Sequence, residues 1–127
     1  MKKVILFFFV VTFLLSQSLY FNAFKDIQKA KRLLNSDPQK ANALFIEAGS
    51  FLKQIINSSI NSDKPSSQAL NLLGELYLNG WGVEKNIKKA RLLLCAARNL
   101  GNFRAQMLIK KNSLKCPAKI NLKELKQ

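Results

Sequence analysis

The sequence predicts an all-α fold built from antiparallel helical hairpins. Three observations point to it. Apolar residues recur at helical spacing along most of the chain, no stretch shows sustained alternation of apolar and polar residues, and the helical runs are separated by capping and turn residues, Ser36-Asp37-Pro38 and Gly80-Trp81-Gly82. At 127 residues the chain holds one domain.

The chain opens with Lys2 and Lys3, then an apolar run from Val4 to Leu15, then Ser16-Gln17-Ser18. A basic start, a short apolar stretch and small residues before a cut make a secretory signal over residues 1–18, cleaved after Ser18. The alternative is an uncleaved anchor, because apolar character continues to Phe24 and the whole run is just long enough to span a bilayer. Gln17 and Asn22 interrupt that span and weaken the anchor reading.

The first helix is expected from Phe24 to Asn35, with Ile27, Ala30, Leu33 and Leu34 on one stripe. Asp37 and Pro38 suit the cap and first position of a second helix, which carries Ala41, Leu44, Phe45, Ala48, Phe51, Leu52 and Ile55. Together they form a hairpin over 24–56. Residues 57–67, NSSINSDKPSS, read as a polar loop. A third helix from Gln68 to Leu78 and a fourth from Asn86 to Leu100 make a second hairpin, the fourth with Ile87, Ala90, Leu93, Leu94 and Ala97 inward. Gly101-Asn102 ends it, and a fifth helix runs from Phe103 to Lys111. The unit is expected to close at residue 114, leaving a basic, solvated tail over 115–127.

The glycine-rich turn is not a phosphate loop. A dinucleotide fingerprint needs a third glycine where Lys85 stands, and a strand where the helical LGELYL precedes. As a turn it is intelligible. Gly80 can end the helix in a left-handed conformation, Gly82 keeps the turn narrow, Val83 folds back between helices and Asn86 caps the next helix. Gly74, inside a helix, should cost about 1 kcal/mol relative to alanine, which makes sense where another helix crosses closely. Ala69, Leu73, Gly74, Tyr77, Gly80, Gly82, Val83, Lys85, Lys89, Ala90, Ala97, Gly101 and Ala105 match, in order and spacing, the motif of the Sel-one-like repeat, a relative of the tetratricopeptide repeat, which this region resembles. The resemblance implies a short right-handed α-α solenoid and a scaffold for protein partners. Asn86 replaces the usual aspartate, Leu93 and Leu94 an aromatic pair, and the pattern stops after Ala105. One full repeat plus a partial capping helix is therefore expected, with 24–56 a degenerate unit packed against it.

The formal net charge is +14. Such a field selects anionic partners: an acidic protein, or an anionic membrane or envelope surface. Export disfavours nucleic acid. With no histidine the familiar nucleophile–base relay is missing, and two cysteines are too few for a zinc site, so no catalytic residue, cofactor or metal is expected. Cys95 and Cys116 are read as a disulfide, since residues 112–116 can turn back along the fourth helix to Cys95. The alternative is a free thiolate at Cys95 beside Lys88, Arg91 and Arg98. Trp81, Arg91, Arg98, Lys110 and Lys111 are the candidate partner-binding residues, although Trp81 is read first as folding over the hairpin to shield Val83 or Tyr77, with an exposed interface anchor as the alternative. Three functions fit: an exported, non-catalytic interaction module in the periplasm or medium, an inhibitor or immunity protein against an acidic toxin or enzyme, and an envelope-associated protein held by its tail or by an inner-membrane anchor.

Overall fold

The computed structural model describes residues 2–62 and 65–127, with the side chains at 2–4, 9 and 12–17 outside that description. Among the described residues helix is the only regular secondary structure. The order is α1 (Lys2–Leu33), α2 (Pro38–Ser59), α3 (Ser67–Asn79), α4 (Ile87–Asn99), α5 (Phe103–Lys111) and a short 3-10 turn (Leu122–Leu125). α1 packs on α2 and α3 on α4 as two hairpins, α2 joins them by meeting α3, and α5 continues the stack against α4. This is an α-solenoid of stacked hairpins.

Both hairpins start their second helix in the same way. Asp37 Oδ1 accepts from the Lys40 amide at 3.1 Å, and Asn86 Oδ1 from the Lys89 amide at 3.0 Å. A side-chain cap of this kind contributes about 1 kcal/mol. Directly after each capped amide, and again seven residues later, alanine recurs at matching positions: Ala41 and Ala48 in α2, Ala90 and Ala97 in α4, all fully buried. Small side chains there let the paired helices approach closely.

α3 is buried over its whole length from Ala69 to Leu78, which explains a sequence that is apolar nearly all round. At Gly74 an added Cβ would lie 2.8 Å from Leu94 Cγ and 3.3 Å from Leu93 Cβ, so the crossing of α3 over α4 requires glycine there. Gly80 caps α3 in the left-handed region at φ 68°, and the Trp81 amide returns to the Leu76 carbonyl at 3.0 Å.

The structure departs from the sequence reading in four places. The first hairpin begins upstream of residue 24: Ala23 is fully buried, and Leu19 and Tyr20 pack on the core as part of one continuous α1. The signal or anchor expected over 1–18 rests mainly on side chains outside those described. α2 continues through Asn57-Ser58-Ser59 into the expected loop, because Ile60 extends the buried stripe of Ile55 and Ile56, while Ser58 and Ser59 hydroxyls donate to carbonyls one turn back. Ile87 is exposed rather than inward, since the chain after α5 leaves a cavity of about 490 Å³ beside it. The tail is not free. Leu125 is buried, Ile120 and Leu122 pack on the core, and the Gln127 amide donates to Asn57 Oδ1 at 2.7 Å. Apolar residues spaced among the lysines fasten it down.

Cys95 and Cys116 are joined, with an S–S distance of 1.98 Å and Cα atoms 5.6 Å apart. The bond lies at the buried face of α4 and delivers the tail to the second hairpin.

Candidate interaction surface

The first helices of the successive hairpins, α1, α3 and α5, meet at one charged side chain. Glu75 sits on α3 and is 7% exposed. Lys31 of α1 donates to its Oε1 at 3.0 Å, and Arg104 Nη2 of α5 donates to Oε2 at 3.3 Å and Oε1 at 3.4 Å. A carboxylate this deeply buried needs such partners, because an unpaired one would shed its charge. Two cations on one carboxylate leave the spot net positive. Lys31 and Arg104 both reach solvent, so that excess charge faces outward.

Lys31 does a second thing. Its Nζ lies 5.4 Å from the centroid of the Trp81 ring, and Trp81 stacks on Phe45 of α2, with centroids 5.0 Å apart and planes at 10°. The exposed face of one hairpin is thus coupled through Lys31, Trp81 and Phe45 to the packing between hairpins. Gly82 makes this contact sterically open. Its φ is +70°, and a Cβ there would stand 2.6 Å from the backbone of Phe45 and Ile46. The turn after α3 lies directly on the α2 backbone, and Trp81 is a structural wedge before it is anything else.

Around the charged centre the surface is apolar and aromatic. Tyr20 and Phe24 stack on α1 with centroids 6.3 Å apart. Burial raises the Tyr20 phenol above its ordinary pKa, and the nearby Arg104 guanidinium opposes that rise. α5 exposes Phe103 and Met107 one turn apart. Asn71, one turn before Glu75 on α3, is buried with its Oδ1 unpaired.

The candidate binding residues from the sequence do not form one site. Trp81 is half-buried against α2. Arg98 lies near the far end of α4, about 18 Å from Asn86 at 1.5 Å per residue, where its guanidinium donates to Asn99 Oδ1 at 3.0 Å. Arg91 is half-buried with its Nε unpaired and borders the 490 Å³ cavity with Lys88 and Lys115. Lys110 and Lys111 project from the last turn of α5. Sequence reasoning missed Lys31, Glu75 and Arg104. The available signal was Glu75 itself, the one charged residue of α3, on a helix apolar enough to be buried, which demanded cations from neighbouring elements.

Among the described residues no group of three or more side chains could hold a metal ion, and no helix is long and apolar enough to cross a membrane. A family model described as Sel1 repeat matches residues 13–50 and 67–102. The two segments correspond to the two hairpins, and the first starts upstream of Ser18 and of residue 24. No curated protein and no solved structure matches the chain.

Proposed function

Because the chain belongs to the Sel1 repeat family, whose repeats are generally non-catalytic protein–protein interaction modules, we propose that it is an exported scaffold that binds an acidic protein partner on the α1–α3–α5 face. The observation that carries this reading is the Lys31–Glu75–Arg104 cluster. It presents excess positive charge on a framework held by buried contacts, flanked by exposed Phe103 and Met107. A partner carboxylate entering there finds two partly desolvated cations, and the apolar flank supplies contact area. Export is supported by the disulfide, which persists in oxidising compartments. Mass spectrometry of the mature N-terminus tests that part: a chain starting at Leu19 supports cleavage, and one starting at Met1 supports retention in the envelope.

The face is tested by affinity capture from envelope extract with wild type and a Lys31→Gln/Arg104→Gln variant, at low and high salt. A partner bound by wild type, lost from the variant and weakened by salt supports the proposal. Equal capture by both proteins overturns it. An inhibitor of an acidic toxin or enzyme is the same chemistry with a dedicated target, and the net charge of +14 supports it. Association with an envelope surface is supported by the start of α1, where Ile5, Leu6, Phe7, Phe8, Val10 and Val11 are all exposed.

A further inference from the structure

On the other side of the solenoid a cleft runs between the hairpins, lined by residues of α2, α3, α4 and the docked tail. Three adjoining cavities of about 310, 460 and 320 Å³ all share Lys53 of α2. The first two also share Tyr77 and Lys89, and the last two share Gly82 and Val83, so the three are parts of one groove. Lys126 of the docked tail borders the first cavity and Lys85 the second.

Four lysines from four different segments converge here. Lys89 is held in place, with its Nζ 5.3 Å from the centroid of the buried Tyr77 ring. Lys53 is half-buried. Two carboxylates also border the groove, Glu124 on the first cavity and Glu84 on the second. Neither pairs with any of the four lysines, for among the described residues every ion pair belongs to Glu75. Four ammonium groups against two carboxylates leave an excess of positive charge round the groove, which an anion bound among them would offset. The first cavity has an apolar wall as well, from Leu92, Leu93 and Leu125.

We propose that this groove binds an organic phosphate, with its phosphate held by Lys53, Lys89 and Lys126 and its organic body against Leu92, Leu93 and Leu125. A phosphomonoester fits this set better than a single carboxylate, since it carries a charge of about −1.5 to −2 and three acceptor oxygens. The groove's opening of several hundred cubic ångströms suits a small ligand. Lys85 and Val83 extend the site toward the second cavity. This site is separate from the α1–α3–α5 face, so its success or failure leaves the interaction reading untouched.

The test uses the full chain with its disulfide intact, titrated with phenyl phosphate as a soluble phosphomonoester, separately with phosphatidylcholine vesicles with and without phosphatidic acid, and with a short single-stranded oligonucleotide as competitor. Amide shifts in NMR should saturate and concentrate at Lys53, Tyr77, Lys89 and Leu125. Lys53→Gln and Lys89→Gln should each weaken binding about tenfold, as expected for one charge-assisted hydrogen bond. A Lys110→Gln/Lys111→Gln control should leave it unchanged. Saturation by phenyl phosphate with inert vesicles assigns a soluble ligand; vesicle binding lost with the same lysines assigns a lipid headgroup. Either supports the site. Shifts that scatter without saturating, equal weakening by the control, tighter binding of a single-stranded oligonucleotide, or no response to either probe would overturn it. Unchanged thermal midpoints in the variants exclude misfolding, and Lys126→Gln on the tail provides an independent check.

Discussion

Gly82→Ala should be far more damaging than its size suggests. The residue sits at φ +70°, and the new Cβ would meet Ile46 N and Phe45 C at 2.6 Å and Phe45 Cβ at 2.7 Å. Two of these are backbone atoms of α2, so no rotamer change relieves the clash. Left-handed backbone costs an alanine about 1–2 kcal/mol. Forcing the turn off α2 adds an overpacking cost of about 1–3 kcal/mol, and loses the Phe45–Trp81 stack, about 0.5–1.5 kcal/mol beyond its buried area. The total is about 2.5–6.5 kcal/mol. Gly101→Ala isolates the backbone part, because Gly101 has φ +95° with nothing within 4 Å of an added Cβ. It should cost about 1–2 kcal/mol. Urea unfolding of both variants reads the difference of roughly 1.5–4.5 kcal/mol, which for a domain of this size corresponds to a midpoint about 5–20 °C lower in thermal melts. Trp81 is the only tryptophan, so its emission reports the stack directly and should shift red in the Gly82 variant alone. If Gly82→Ala proves no worse than Gly101→Ala, with Trp81 emission unchanged, the turn does not bear on α2 as described.

Three further outcomes follow from the same contacts. Replacing Glu75 with glutamine strips Lys31 and Arg104 of their counter-charge; as both cations already reach solvent and can rehydrate, urea unfolding should show a loss of about 1–2 kcal/mol, below the cost of breaking a fully buried pair. Reducing the Cys95–Cys116 bond, or replacing both cysteines with serine, should cost about 3 kcal/mol from a loop of 21 residues, and limited proteolysis should then cut first in the tail after Cys116. Asp26 is the pH-sensitive group: burial of its carboxyl raises its pKa, Glu47 adds to the rise, and Lys25 and Lys29 oppose it, while Oδ2 is closed off without a partner. The folded state therefore holds this proton more tightly than the unfolded state, and Asp26 lowers stability as pH climbs above its ordinary value of 3.8. Asp26→Asn should melt higher than wild type at pH 7, with the gap closing as pH falls through the carboxylate range; a gap independent of pH would contradict this.

Much of the fold was legible from local signals. Asp37-Pro38 and Asn86 announce helix starts because a short polar side chain can satisfy a free amide within its own turn, and the structure has both bonds. Gly74 marked a close crossing, and Leu94 lies against it. These are interactions between residues near in sequence, or consequences of a missing side chain. The tail misled because its lysines dominate its composition, while only a few leucines and isoleucines decide whether it docks. The start of the first hairpin misled for the opposite reason: one apolar run serves both as a leader pattern and as core-facing helix, and composition cannot divide it.

By itself, then, the sequence determined the helical class, the repeat, the cap positions and the surplus of positive charge, because periodicity, capping chemistry and formal charge are properties of the chain. Only the tertiary structure decided which charges meet. Lys31, Glu75 and Arg104 come from three helices, and Lys53, Lys85, Lys89 and Lys126 from four segments. Their neighbours are set by how the hairpins stack, and that packing also places Trp81 on Phe45 rather than at a free loop tip.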